Sequence, residues 1–199
     1  MFTKFMKKAR SQRGAMFGLD ARIALAIFGG LSVVAGAAVV SSLRETDVTS
    51  LTTEFDNISK GYINYTFDTG VDVPLGTDPG QGFAALYENT SPETLGWKGP
   101  YLTMSSNINA RFGGTYGIFQ DDIDGSWGGA SIPNADSEGC SSICGAWLRL
   151  DTVPCEIVAS IDQRIDHSDG ESAGNVRYES CDSGSNTVVA YFLSRQMPK

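Results

Sequence analysis

One carboxylate in this sequence has a clear chemical task. Asp20 stands just ahead of a stretch, Ile23 to Leu43, that carries no charge. An acid so close to an apolar helix is expensive to remove from water, so it marks a candidate functional position. Arg22, two residues on, has an aliphatic stem long enough to carry its head back to a polar surface. Two acidic groups lie further along. Asp121, Asp122 and Asp124 form one, and Asp162, Asp166, Asp169 and Glu171 the other. Carboxylate oxygens suit a hard cation such as Ca²⁺, which is the one cofactor these residues leave open. The DDIDG spacing lacks the distant Glu of a full calcium loop, and solvated acidic turns are the commoner use of such runs. The single histidine, His167, sits in a polar acidic turn, and there is no GxSxG, CxxC or phosphate loop. The expectation is a protein that is not an enzyme.

The elements that must position these groups begin with the N-terminus. Lys4, Lys7, Lys8, Arg10 and Arg13 form a basic leader without acids, followed by the small residues Gly14 and Ala15. The uncharged stretch of ~21 residues rises about 1.5 Å per residue as a helix, enough to cross a bilayer core of about 30 Å. A secretory signal would be cut after its apolar run. Here the attractive cut lies before it, at the small residues Gly14 and Ala15, so the apolar helix stays on the mature chain with a new amine at its start. Lys and Arg remain on the cytoplasmic side, so the C-terminal bulk is exported. The chain has 199 residues and a net charge of −8, and it becomes more acidic once the five leader cations are removed. Such a surface argues against general nucleic-acid binding.

From Met16 to about Thr66 the sequence reads as one helix. Val48, Leu51, Phe55, Ile58, Tyr62 and Tyr65 recur at alternating steps of three and four, the spacing of one buried face. Gly29, Gly30 and Gly36 weaken the first half, each by about 1 kcal/mol relative to Ala, or else allow close packing of helices in lipid. Asp68 to Gly82 is turn-rich, and Phe83 to Asn89 is a short helix. Thr115 to Gln120 and Cys144 to Val153 are strands, and Pro154 opens a helix whose apolar face is Ile157, Val158, Ile161 and Ile165. Asn175 to Glu179 and Asn186 to Arg195 are the last strands. Cys140, Cys144, Cys155 and Cys181 all fall in the exported part, where an even count reads as disulfides. Three pairings are open. The preferred one joins Cys140 to Cys144 and Cys155 to Cys181, the latter worth about 3 kcal/mol by loop closure. The spacings are poor for the rival, a zinc site.

The leader, the small residues before Met16, the acid at the fifth position after the cut and the long apolar helix together resemble the N-terminal signal of type IV pilins and pseudopilins. A Met at the mature start is closest in style to the type IVb branch. The chain departs from the usual pattern in having Ala15 for Gly before the cut, Asp20 for Glu, and the charged Arg22. Two more distant segments resemble the family as well. They are LGWKGPYL (Leu95 to Leu102) and IDQRIDHSDGESAGNVRY, in which His167 stands where the family has Asp.

The resemblance implies an α+β pilin fold, with one long N-terminal helix whose second half packs on an antiparallel sheet of about four strands. Residues 1–15 would be the prepilin leader and 16–66 the helix, of which 16–44 is the transmembrane and polymerisation part. Residues 67–199 would form the head. A prepilin peptidase would cut between Ala15 and Met16, which makes Asp20 the fifth mature residue, and methylate Met16; a cut between Gly14 and Ala15 is the alternative. An inner-membrane assembly platform and its ATPase would then draw the subunit from the membrane into a helical homopolymer. There the Asp20 carboxylate would pair with a neighbour's amine. The product would be an extracellular pilus serving adhesion, motility or uptake. The alternatives are a pseudopilin of type II secretion and a signal-anchored periplasmic binding domain that never polymerises.

Overall fold

A computed structural model describes residues 13–74, 79–90, 95–124, 127, 143–181 and 186–197, with backbone alone at 13–17, 79 and 195–197. The architecture is α+β, as expected. Helix α1 (Arg13–Thr69) is followed by a short helix, α2 (Pro79–Ala84), and then by strands β1 (Tyr116–Asp122) and β2 (Cys144–Pro154). Helix α3 (Cys155–Ile165) and strands β3 (Val176–Tyr178) and β4 (Thr187–Met197) complete the order. The chain divides into two compact units, residues 1–45 and 46–199.

In the second unit the periodic stripe is the core. Val48, Leu51, Phe55, Ile58, Tyr62 and Tyr65 are each at most 5% exposed, and they pack on one face of a four-stranded antiparallel sheet of order β1-β2-β4-β3. That face carries Tyr116 and Ile118 of β1, Ala146, Leu148 and Leu150 of β2, and Ala190 and Phe192 of β4. Strand alternation sends the residues between them to the opposite face. There Phe119, Trp147 and Tyr191 join Trp127 in a second apolar cluster. Trp147 and its neighbour Leu148 therefore belong to different cores. Phe55 marks the centre of the main seam. Its ring stacks on Phe192 at 3.6 Å and meets Tyr116 edge-on at 6.0 Å.

Polar groups close the same seam. Asn109, 3% exposed, donates from Nδ2 to the Tyr116 hydroxyl oxygen (2.7 Å) and to Glu54 of α1 (3.2 Å). Its Oδ1 accepts the backbone N–H groups of Arg111 and Phe112. Burial pushes the Tyr116 hydroxyl well above the ordinary tyrosine range, so it remains a neutral partner. Strand β2 shifts register between Leu150 and Val153, and Thr152 there adopts φ 60°. Gly114 lies so close to this bulge that an added Cβ would run into the Asp151 carbonyl oxygen and the Thr152 hydroxyl.

The expectations for the connecting segments need one correction. The helix expected over Phe83 to Asn89 lies earlier, at Pro79–Ala84, and gives way to turns at residues 85–87. Proline suits a first helical turn, where its missing N–H is not required. The GWKGPY segment folds against that turn. The Trp97 indole N–H donates to the Ala85 carbonyl at 3.1 Å, and the Tyr101 N–H donates to Leu86 O at 2.8 Å.

Truncating the ring at the seam should be costly. Phe55→Ala should lower the unfolding free energy by about 3–5 kcal/mol, the range for a buried Phe that leaves a cavity. Denaturant unfolding of the purified chain checks this, and a loss below about 1 kcal/mol would show that the seam is not where stability resides.

Candidate functional site

The first unit holds the residues singled out for assembly. Helix α1 is continuous from Arg13, so the backbone at Ala15 and Met16 is helical, and the side chains described begin at Gly18. From Gly18 to Glu45 every residue is exposed. Leu25, Phe28, Leu31, Val33 and Val34 are each at least 65% exposed. By length and composition this helix can cross a membrane. Its hydroxyls need not oppose that, since Ser32 donates to the Phe28 carbonyl at 2.8 Å and so uses the helix's own backbone. Asp20 and Arg22 stand on this exposed segment. The glycines at 29, 30 and 36 have open space where a Cβ would go.

The structure joins one of the two preferred cysteine pairs. Cys155, at the start of α3, is bonded to Cys181, 26 residues later, with Cα atoms 6.0 Å apart. The bond brackets α3 and β3 and ties both to the segment before β4. Cys144 is half-buried at the start of β2. Its preferred partner, Cys140, lies outside the described residues.

The two acidic groups part company. Strand β1 runs through Asp122, so Asp121 and Asp122 are paired strand residues, opposite Gly145 and Cys144, and not a loop. Consecutive strand residues point to opposite faces, which keeps those two carboxylates apart. Asp124 is exposed beyond them. Burial, the leading cause, raises the Asp121 carboxyl above its ordinary range, and Arg177 opposes that rise. Among the described residues the carboxylates that do converge are Asp162, Asp166 and Asp169, at the end of α3. Burial, and then the charges of Asp169 and Asp166, push the Asp162 carboxyl up to about 6. Glu171 is engaged elsewhere, accepting from the Ser180 hydroxyl at 2.8 Å. His167 is exposed at φ 61° in the turn.

Arg177 was not singled out from the sequence. It is 3% exposed on the sheet face opposite α1, with its guanidinium 4.5 Å from the Trp127 ring centre and 4.8 Å from that of Trp147. It donates to the Ile123 carbonyl at 2.6 Å. Burial lowers its pKa, and the carboxylates of Asp121, Asp169 and Asp166 oppose that shift. The VRY alternation was the available signal, because Val176 and Tyr178 face the main core and leave Arg177 to the other side.

No family model and no solved structure matches the chain. It is similar to porin Omp2a of Brucella abortus, 38% identical over 79 residues, which is 36% of this chain and 25% of the porin. Porin Omp2a of Brucella melitensis matches with the same identity over 22% of its length. The chain thus spans about a quarter of the length of the curated relatives it matches.

Opening the disulfide should be felt locally. By loop closure the bond should be worth about 3–4 kcal/mol, so Cys155→Ser with Cys181→Ser should expose the region between 155 and 181 to limited proteolysis ahead of the rest of the head. Unchanged cleavage there would show that the bond does not hold this region.

Proposed function

We propose that this chain is the precursor of a type IV pilin-like subunit that is anchored in the inner membrane and then polymerises through its N-terminal helix. One observation carries the reading. A single helix is apolar and exposed all round up to Leu43, and from Val48 onward it buries one face in a folded head. A contiguous apolar surface of that kind needs cover. Lipid supplies it before assembly, and the same helix of neighbouring subunits supplies it afterwards. The helix-plus-sheet head and the disulfide-bounded C-terminal region agree with such a subunit.

In this reading the leader, residues 1–15, stays in the cytoplasm until a peptidase cuts between Ala15 and Met16 and methylates the new amine. A cytoplasmic ATPase, working through an assembly platform, then drives extraction from the bilayer. The Asp20 carboxylate meets the Met16 amine of a neighbour, and each charge offsets the cost of removing the other from water. Losing one partner of a buried pair costs about 3–5 kcal/mol, enough to decide whether a subunit joins. The protein performs no catalysis of its own. Its product is a surface filament used for adhesion, motility or uptake. The partial likeness to porins covers too little of either chain to carry a function here.

Asp20→Ala tests the pairing. The variant should be expressed, processed and held in the membrane at the wild-type level, while sheared filaments fall at least tenfold. Normal filament yield from Asp20→Ala would remove the pairing role.

A further inference from the structure

We propose that the head carries a knob and a groove that fit each other in neighbouring copies of this chain. The knob is the exposed pair Phe67 and Leu95. The groove lies on another side of α1, beside Leu102 and Met104. The inference deepens the filament reading and rests on it for the supply of aligned neighbours.

Exposure picks out the knob. Phe67 is 87% exposed and Leu95 86%, and Ile63 and Val71 are exposed as well. One exposed apolar side chain is ordinary, whereas several together mark a contact surface. The end of α1 gathers these. Ile63 and Phe67 are four residues apart and share a helix face. The turn at Leu95 and Gly96 is pressed on the last residues of the helix. A Cβ added at Gly96, whose φ is 90°, would run into the Asp68 carbonyl oxygen. Lys98 Nζ and the Tyr101 hydroxyl also donate to the Asp68 carboxylate, at 3.0 and 3.2 Å. Leu95 is therefore held next to the end of α1 by folded structure on both sides of it.

The groove has a volume of about 440 Å³. Ile58, Leu102 and Met104 give it an apolar lining, and Ser50, Thr53 and Asn57 border it from α1. The Thr53 hydroxyl is already used within the helix, where it donates to the Thr49 carbonyl at 2.8 Å. At 3.6 residues per turn, positions 63 and 67 lie about a quarter of a turn around α1 from positions 50, 53 and 57. Position 67 is also roughly 20 Å further along the helix than position 53. The knob therefore cannot enter the groove of its own chain and needs another copy. A contact between two different patches is heterologous, and where it does not close a ring it builds an open helical array.

Charge favours the same occupant. Among the described residues Glu54 lines the groove and no Lys or Arg does. Arg164 stands at one end of it, bonded to Thr49 Oγ1 at 3.2 Å. Beside the knob the exposed charge is a cation, because the Lys98 side chain is 71% exposed and its partner Asp68 only 20%. Opposite charges across an interface fix its register and disfavour wrong partners.

The test uses the full chain in the cells that produce it, with photoreactive p-benzoylphenylalanine in place of Phe67. Irradiated membranes and sheared filaments are each searched for a covalent dimer, and the joined peptides are read by mass spectrometry. The expected product joins position 67 to residues 49–58 or 102–104 of a second copy. Adding Leu95→Lys should lower the dimer yield roughly tenfold and leave Tm unchanged, since Leu95 is a surface residue. No dimer in either fraction, a dimer joined elsewhere, an adduct only to another protein, or a yield that Leu95→Lys leaves unchanged would each overturn the knob and groove. Filaments without the adduct would overturn this contact alone. The adduct in membranes of cells that make no filaments would support the contact and remove the filament reading.

Discussion

The head depends on one seam, the packing of the 48–65 stripe of α1 on the inner face of the sheet. Phe55 between Phe192 and Tyr116 is its centre, and residues from β1, β2 and β4 all contribute to the surface that receives it. The seam sets the register of the sheet, because a shift of one residue would turn Leu148 and Phe192 away from the helix and bring Trp147 and Tyr191 to it. It also fixes the polar joints around it. Asn109 reaches both Glu54 on α1 and Tyr116 on β1, so helix and sheet are joined by hydrogen bonds as well as by apolar contact.

That arrangement frees the other face of the sheet for a different purpose. Trp127 and Trp147, which cluster there with Tyr191, face the Arg177 guanidinium, a charge kept in an apolar setting by aromatic faces and a backbone carbonyl. The same residue links two regions that are far apart in sequence, since it donates to Ile123 after β1 while its strand neighbours Val176 and Tyr178 face the main core. The C-terminal third is thus tied twice, once by the Cys155–Cys181 bond and once by the Asp166 carboxylate that receives the start of β3.

Much of this was readable from the residues because burial is one-sided where the pattern is strong. Alternating steps of three and four from Val48 to Tyr65 allow a single helical face, and the structure buries that face. The β-branched and aromatic run from Thr187 to Phe192 read correctly as a strand, and the 155–181 bond belongs to the preferred one of the three pairings that the even cysteine count left open. What escaped reading depends on contacts remote in sequence. Asp121 and Asp122 read as a loop, but pairing with Gly145 and Cys144 draws them into β1. Asp162, Asp166 and Asp169 read as one acidic group with Glu171, but Glu171 is drawn off to Ser180, and the turn that gathers the other three takes positive φ at two non-glycine residues, which no local preference announces. The double-sided sheet was hidden as well, since adjacent apolar residues such as Trp147 and Leu148 look like one buried run until both faces are seen to be covered.

The helix before the seam gives the molecule its proposed task, because an exposed apolar surface from Gly18 to Leu43 needs cover, which the proposed reading assigns first to lipid and then to copies of the chain. The most direct test of the account is the intact mass and N-terminal sequence of the protein sheared from cell surfaces. The account predicts a chain that begins at N-methylated Met16, recovered in filaments. A full-length chain beginning at Met1 and confined to membranes would contradict it.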